Sequence, residues 1–386
     1  MAARKQAREQ DTERTRKKMG KTSRTIGYAV VGLGHFAQDA ILPAFKNAKK
    51  NSRLVALVSG DARKHRALGK RYGVPVYGYD QYEECLALPE VDAVYIALPN
   101  SLHAEYAVRA ARAGAHVLCE KPMALDENQC MDMIRAAEDS DVKLMTAYRL
   151  HFESANLEAM EAVRKGKIGE PRLFSSSFSF QIQGPNIRID REVGGGVLWD
   201  IGVYCVNAAR YLFRAEPEEV FAFRARGKDE RFAETEEAVS AVLRFPEDRL
   251  ASFNVSFGAA PSSTYQLVGT KGSIRLDNAY DYKGKMTLEL ETKARKKRTL
   301  PERDQIGPEL VYFSDCILKD QEVEPSGWEG LADVRIIRAL YESMESGRPV
   351  RLEPFEKRMR PTQEQEQRLP PTQPPEMVNA APPMGE

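Results

Sequence analysis

Along residues 26–147, short apolar runs alternate with stretches in which apolar residues recur every three or four positions. The runs at Ile26–Val31, Leu54–Ser59, Asp92–Leu98, His116–Cys119 and Lys143–Thr146 predict buried strands. The stretches Phe36–Ala48, Ala62–Tyr72, Leu102–Ala113 and Glu127–Asp139 predict helices, and Pro43 should kink the first or close its last turns. Strands separated by helices of this length imply βαβ units and a parallel sheet. After about Ser154 the period changes. A helical stretch to Arg164 leads into strand-like runs at Arg172–Ile182, Glu219–Ala225, Ala238–Phe245, Ala251–Phe257, Tyr265–Val268, Ser273–Leu276 and Met286–Leu290. Several alternate apolar and polar residues, as a sheet with one solvated or partly covered face does. Helical patterns at Ile201–Leu212, Pro308–Leu318 and Leu331–Ser346 complete this part.

The expected class is therefore α/β. A doubly wound parallel sheet over residues 25–150 precedes an α+β domain over 151–353, built on a large, mostly antiparallel open sheet. Residues 1–24 are charged and without an apolar run, and 354–386 are rich in Pro, Gln and Glu. Both are expected to be disordered, the first as an arm and the second as a tail. A length of 386 residues suits two domains rather than one core. The 57 basic and 56 acidic side chains nearly cancel, which gives no electrostatic argument for nucleic acid or a membrane surface as partner. No run has transmembrane length. Cys85, Cys119, Cys130, Cys205 and Cys316 are scattered and never paired as CxxC. That argues against a disulfide framework or zinc site and fits a reducing, cytoplasmic setting. His65, His116 and His151 have no metal-ligand spacing, so no metal is expected.

Candidate chemistry begins with Gly32-Leu33-Gly34-His35-Phe36-Ala37, which follows an apolar strand and opens a helix. In that context GxGxx[GA] is the dinucleotide fingerprint of a Rossmann fold. Its glycines let the backbone approach a pyrophosphate, whose charge meets the helix N-terminus. The end of the second strand selects the cofactor. An NAD site places a carboxylate there for the ribose diol; this chain has Ser59-Gly60-Asp61-Ala62-Arg63-Lys64. A hydroxyl with Arg63 and Lys64 close behind it suits a 2′-phosphate, so NADP is expected. Asp61 either caps the next helix or reaches a ribose. Gly60 and Tyr79 join the expected cofactor set. Leu98, Pro99 and Asn100 are expected along the nicotinamide ribose, and His103 either meets the cofactor or is satisfied at its helix start.

His116-Val117-Leu118-Cys119-Glu120-Lys121-Pro122 reads as a strand ending on Lys121. The following proline keeps Lys121 extended, past the carboxyl end of the sheet, where open α/β sheets bind ligands. A lysine there can favour ionisation of a nearby hydroxyl or shed its own proton. A second segment, Gly194-Gly195-Gly196 leading to Asp200 and Tyr204, brings two polar residues four apart onto one helical face. An acid in a first turn can simply stabilise the helix, and a phenol works as acid/base only beside a cation. With a nicotinamide fold the set makes a proton-transfer site for alcohol–carbonyl chemistry.

The glycine loop, Glu120-Lys121-Pro122 and the Asp200…Tyr204 segment together resemble the Gfo/Idh/MocA oxidoreductase family, over Thr25 to Pro349. Leu98-Pro99-Asn100-Ser101-Leu102-His103-Ala104-Glu105, Cys119-Glu120-Lys121-Pro122-Met123-Ala124 and Tyr148-Arg149-Leu150-His151 are most similar to its glucose–fructose oxidoreductase branch. Ser59 and Lys64 match NADP-binding positions of that branch, and Tyr204 stands where many other members have histidine. The resemblance implies that Lys121 positions the reacting oxygen, Tyr204 is the general acid/base and Asp200 orients the substrate. It implies that Glu120 shapes the site or contacts the nicotinamide ribose, and it brings Arg149 and Arg188 near the nicotinamide. The implied reaction is NADP-dependent hydride transfer at a carbinol or carbonyl carbon of a sugar or polyol: aldose C1 to lactone, or the reverse on a keto-sugar. A dihydrodiol or xylose-type dehydrogenase and a non-catalytic NADP-sensing regulator are the alternatives. A homodimer or homotetramer through the C-terminal sheet is the implied assembly.

Overall fold

The structure, a computed structural model, describes residues 24–384 except Arg358. The strands β1 (Ile26–Val31), β2 (Ser52–Val58), β3 (Val76–Tyr77), β4 (Ala93–Ile96), β5 (His116–Glu120) and β6 (Leu144–Ala147) form one sheet in the order β3-β2-β1-β4-β5-β6. All neighbours are parallel. The order reverses between β1 and β4, which opens a crevice at their carboxyl ends. Helices Ala62–Tyr72 and Glu127–Asp139 start on side-chain caps: Asp61 accepts the N–H groups of Arg63 and Lys64, and Asp126 accepts that of Gln129.

Two local expectations change. The helix after the glycine loop is a π turn, Ala37–Ile41, continued by Leu42–Ala44. Pro43 sits in the opening turn of that second piece, where a missing N–H costs little, and does not kink a long helix. Strand β3 was not anticipated, because two residues at an edge carry no period.

The second sheet comprises β7 (Pro171–Ser179), β8 (Glu219–Ala225), β9 (Ala238–Phe245), β10 (Arg249–Ser256), β11 (Ser262–Gly269), β12 (Ser273–Asp277), β13 (Met286–Glu291), β14 (Arg295–Leu300) and β15 (Val350–Arg351). Its order is β14-β13-β12-β11-β7-β10-β9-β8-β15. Only the β7–β10 pair is parallel. Strand β14 escaped the hydrophobic pattern because it opens on Arg295-Lys296-Lys297-Arg298; cations are a common way to protect an edge. Helices Ser154–Arg164, Val203–Phe213 and Gly327–Ser346 pack on this sheet. The other face carries exposed Leu173, Leu250 and Val268, and Leu173 is the register partner of both others. Helix Gly307–Lys319 returns to the first sheet, where Ser314 Oγ lies 2.8 Å from both Tyr28 Oη and Ser52 Oγ.

The tail is not a loose end, contrary to expectation. Beyond Pro354 the chain runs extended over the surface and is tied by hydrogen bonds and ion pairs rather than by an apolar stripe. Lys357 Nζ meets Glu324 and Glu329 at 2.7 and 2.6 Å, and Arg360 meets Glu216 at 2.9 Å. Asn47 donates to Pro370 O and Arg71 to Glu376 O. Such anchors leave no periodic signature, so composition alone could not reveal them. The expected disordered arm lies outside the described residues except for Arg24, which pairs with Asp92 at 3.1 Å.

Candidate active site

Glycine is required at the first position of the phosphate loop. Gly32 has φ +93°, and a Cβ there would sit 2.4 Å from Ala97 O, so the loop lies directly on the end of β4. A Cβ on Gly34 would meet nothing within 4 Å; this glycine faces open space. Leu33 is buried, while His35 and Phe36 are partly exposed beside it. Burial lowers the His35 pKa, with Asp39 opposing and Arg188 assisting.

At the end of β2, Ser59 is buried and its Oγ accepts Asp61 N–H at 3.2 Å. Asp61 resolves as the cap: Oδ1 accepts the N–H groups of Arg63 and Lys64 at 2.7 and 3.3 Å, and Oδ2 accepts from Asn379. Asn379 first, and then the helix N–H groups, hold the Asp61 carboxyl below its usual range. That leaves exposed Arg63 and half-buried Lys64 beside the buried Ser59 hydroxyl at this strand end. Tyr79 packs against Gly60, its ring 3.3 Å from where a Cβ would lie. These features fit a dinucleotide with a 2′-phosphate.

Leu98 is buried and Pro99 is partly exposed at the end of β4. Asn100 donates to Gly194 O at 2.9 Å and thereby ties this strand end to the glycine run of the second domain. His103 is fully buried, with its ring nitrogens 2.8 and 2.9 Å from the carbonyls of Pro122 and Leu98. Of the two roles open to it, the structure places it in the satisfied one, pinning the turn after Lys121.

Lys121 leaves the end of β5 and crosses to the other domain. Its Nζ donates to Asp200 O at 2.8 Å, lies 3.3 Å from Asp200 Oδ1, and sits 4.7 Å from the centre of the Tyr204 ring. The Lys121–Pro122 bond is cis. Arg188 Nε donates to Asp200 Oδ2 at 2.9 Å. Arg149 Nε donates to Tyr204 Oη at 3.3 Å, and its guanidinium lies 4.8 Å from the same ring. A π turn, Leu198–Gly202, feeds helix Val203–Phe213 and so carries Asp200 and Tyr204 together; π turns are frequent at functional sites. Burial alone would raise the Asp200 carboxyl, but Arg188 and Lys121 bring it below the usual range. Burial would lower the Lys121 ammonium, yet Tyr204, Asp200 and Glu120 together raise it. Glu120 is raised by burial, against Lys121 and the 2.8 Å hydrogen bond from Tyr95 Oη.

All the residues expected at the acid/base end therefore converge: Lys121, Asp200, Tyr204, Glu120, Arg149 and Arg188. Four contributors were not anticipated. Tyr280 O and Gln305 Oε1 accept from Arg149 and fix its plane. Tyr95 holds Glu120, and Glu309 is buried nearby with neither oxygen partnered. Burial, and then the Glu120 charge, raise the Glu309 carboxyl well above its usual range. Tyr95 was visible as a polar tip inside a buried strand; the other three come from remote loops and a helix start, with no signal in local pattern.

A family described as an oxidoreductase family with an NAD-binding Rossmann fold matches residues 26–148, and the GFO/IDH/MocA C-terminal domain matches 156–275. The D-xylose 1-dehydrogenase [NADP(+)] of Haloarcula marismortui is 30% identical over 341 residues, which are 86% of this chain and 94% of that protein. Among solved structures, an aldose-aldose oxidoreductase from Caulobacter crescentus superposes with a TM-score of 0.80 at 36% identity, covering 85% of this chain and 100% of its own. A 3-ketoreductase from Actinomadura kijaniata, in complex with NADP and TDP-benzene, gives 0.76 at 26% identity, covering 83% and 98%. The chain belongs to the GFO/IDH/MocA oxidoreductase family.

Proposed function

We propose that this member of the family is an NADP-dependent oxidoreductase that moves a hydride between nicotinamide and a carbinol or carbonyl carbon of a sugar, with Tyr204 as proton carrier. The observation that carries the reading is the convergence of Lys121, Asp200, Arg149 and Tyr204 at the end of β5, across from the glycine loop. NADP would lie against Gly32–Ala37, with its 2′-phosphate at Ser59, Arg63 and Lys64 and its nicotinamide end toward Leu98, Pro99 and Glu120. When bound, it supplies a hydride acceptor or donor at nicotinamide C4.

The chain's own groups handle the proton. In oxidation Tyr204 Oη takes the substrate hydroxyl proton as the C–H hydride departs, leaving a C=O bond; in reduction it returns that proton to the nascent alkoxide. Lys121 and Arg149 offset the charge on Oη between these events, and a preorganised cation in a partly dry site does this without reorganisation. Asp200 holds Lys121 in place and offers a carboxylate oxygen to a second hydroxyl of the substrate. An NADP sensor would have no use for this set. Aldose C1 is the preferred carbon, because relatives include a xylose dehydrogenase and an aldose-aldose oxidoreductase; a keto-sugar or a dihydrodiol needs the same proton chemistry.

A single-turnover experiment with NADP-loaded protein and a panel of aldoses tests this. Growth of the reduced-nicotinamide absorbance with at least one sugar is expected. Nucleotide binding without turnover on any aldose, keto-sugar or diol would sink the enzyme reading. Ser59→Asp should shift the ratio of kcat/KM values from NADP toward NAD; an unaltered ratio would place the phosphate elsewhere. The exposed apolar row Leu173, Leu250 and Val268 supports a homodimer or homotetramer through the second sheet. Five buried, unbridged cysteines support a reducing, cytoplasmic setting.

A further inference from the structure

The C-terminal segment crosses from one side of the cofactor crevice to the other. Val378 is clamped to the Rossmann side by Gln38, the residue one turn past the glycine loop. Gln38 Nε2 donates to Val378 O at 2.9 Å, and Val378 N donates to Gln38 Oε1 at 2.8 Å. The same amide donates to Leu33 O at 3.0 Å, so the clamp is continuous with the phosphate loop itself. Beside it, Asn379 donates to Asp61, the cap at the end of β2, and Arg71 donates to Glu376 O at 2.8 Å. The Val378 side chain packs on the apolar cluster of the first sheet.

Only four residues further on, the chain is held by the other domain. Gln183 N donates to Pro383 O at 3.0 Å, and Ile182 and Met384 form an antiparallel bridge. Ile182 and Gln183 open the segment that carries Arg188 to Asp200. Pro383 lies four residues beyond Asn379, and four residues reach at most about 14 Å, so the two anchors are close and the segment between them is short. Its bridging run is Ala380-Ala381-Pro382-Pro383. Alanine adds no bulk, and the prolines fix φ and lose little entropy on ordering. The run leaves the phosphate loop open, since a Cβ on Gly34 would meet nothing within 4 Å.

We propose that Glu376–Met384 is a wall of the cofactor site, which closes the crevice over bound NADP and governs how fast the nucleotide enters and leaves. This rests on the NADP reading above. The wall joins both domains, so NADP can leave only after the Gln38–Val378 clamp or the Ile182–Met384 bridge opens. Asn379, through Asp61, holds the wall to the end of β2, beside the groups assigned to the 2′-phosphate.

The test is displacement of NADPH, followed by loss of its protein-enhanced fluorescence after mixing with excess NADP. The full chain is compared with a variant ending at Pro375 and with the full-length point variant Asn379→Ala. Loss of these hydrogen bonds should speed release roughly tenfold or more in the shortened chain. Asn379→Ala should give a smaller acceleration in the same direction. Release within twofold of the parent in both variants overturns the wall. Should the shortened chain fail to fold, limited proteolysis of the full chain decides: saturating NADP should slow cleavage within 376–384, and equal rates with and without NADP overturn the proposal. Failure of the full chain to bind NADPH at all would sink the NADP reading and the wall together, whereas binding with unaffected exchange sinks the wall alone.

Discussion

One helical segment, Leu198 through Phe213, carries two clusters of buried charge at its two ends, and they are built on opposite plans. Asp200 and Tyr204 at the first end meet three cations: Lys121, Arg188 and Arg149. Asn207 and Arg210 at the other end meet acids. Arg210 Nη1 lies 2.7 and 2.6 Å from Glu329 and Asp333, its Nε binds Glu216, and Asn207 donates to Glu329 and Asp333 at 2.9 and 2.8 Å. Lys357 of the tail adds a second cation on Glu329 and Glu324. The Arg210 and Asp333 side chains are 0% and 1% exposed, whereas those of Lys121 and Asp200 are 11% and 18% exposed. The sealed cluster spends its charges on each other. The open one keeps surplus positive charge and access to the crevice. Surplus and access, not burial or ion pairing as such, separate the cluster proposed to react from the structural one.

Substitution of one cation in each cluster should therefore break different properties. Lys121→Ala should lower kcat by about 10²–10³-fold, the usual range for one lost electrostatic stabiliser of a developing charge. NADP binding and melting temperature should stay near the parent's. Turnover close to the parent's would show that Tyr204 does not need this cation. Arg210→Met should do the reverse. It strands Glu329 and Asp333 without their main partner, and breaking a buried pair costs roughly 3–5 kcal/mol. A large fall in melting temperature is expected, with kcat per folded molecule little altered. Parent-like stability would mean that the sealed cluster contributes nothing net.

The two clusters also differ in how visible they are in the sequence. Lys121 stands out because a charge closes a buried strand just before a proline, and the Asp200–Tyr204 spacing lies beside a glycine run. These are local signals, and the glycine loop and Ser59 are local in the same way. Arg210 lies within the apolar helix Val203–Phe213 and has Glu216 close in sequence, but its buried partners Glu329 and Asp333 are more than a hundred residues away, and nothing around them marks a site. The same contrast holds for the fold. Helices Ala62–Tyr72 and Glu127–Asp139 have caps and clear periods, and their observed bounds agree with the pattern. Strand β14 pairs with its neighbour β13 but opens on four cations that hide any apolar period, and the tail is held by side-chain bonds to remote residues that no window of sequence contains.

The sealed cluster makes a finer prediction, through Glu324. Burial, and then the charge of Glu329, raise its carboxyl to about 7 from an ordinary 4.5, against the pull of Lys357. A carboxyl raised in the folded state stabilises most below its unfolded pKa, and that contribution disappears as pH rises through the folded value. Glu329 behaves oppositely: Arg210 and Lys357 overcome burial and hold it well below its usual range, so its contribution is present above 4.5 and lost on acidification. The parent should thus lose part of its stability between about pH 4.5 and 7 through Glu324, a loss that Glu324→Gln cannot show. Melting temperatures at pH 5 and pH 8 should bring the parent down relative to the variant as pH rises. The pH profile of kcat should be common to both, because the cluster proposed to react sits at the other end of the helix. A constant difference in melting temperature across that range would show that Glu324 ionises as it does in water. A shifted kcat profile would show that the two ends are not separate.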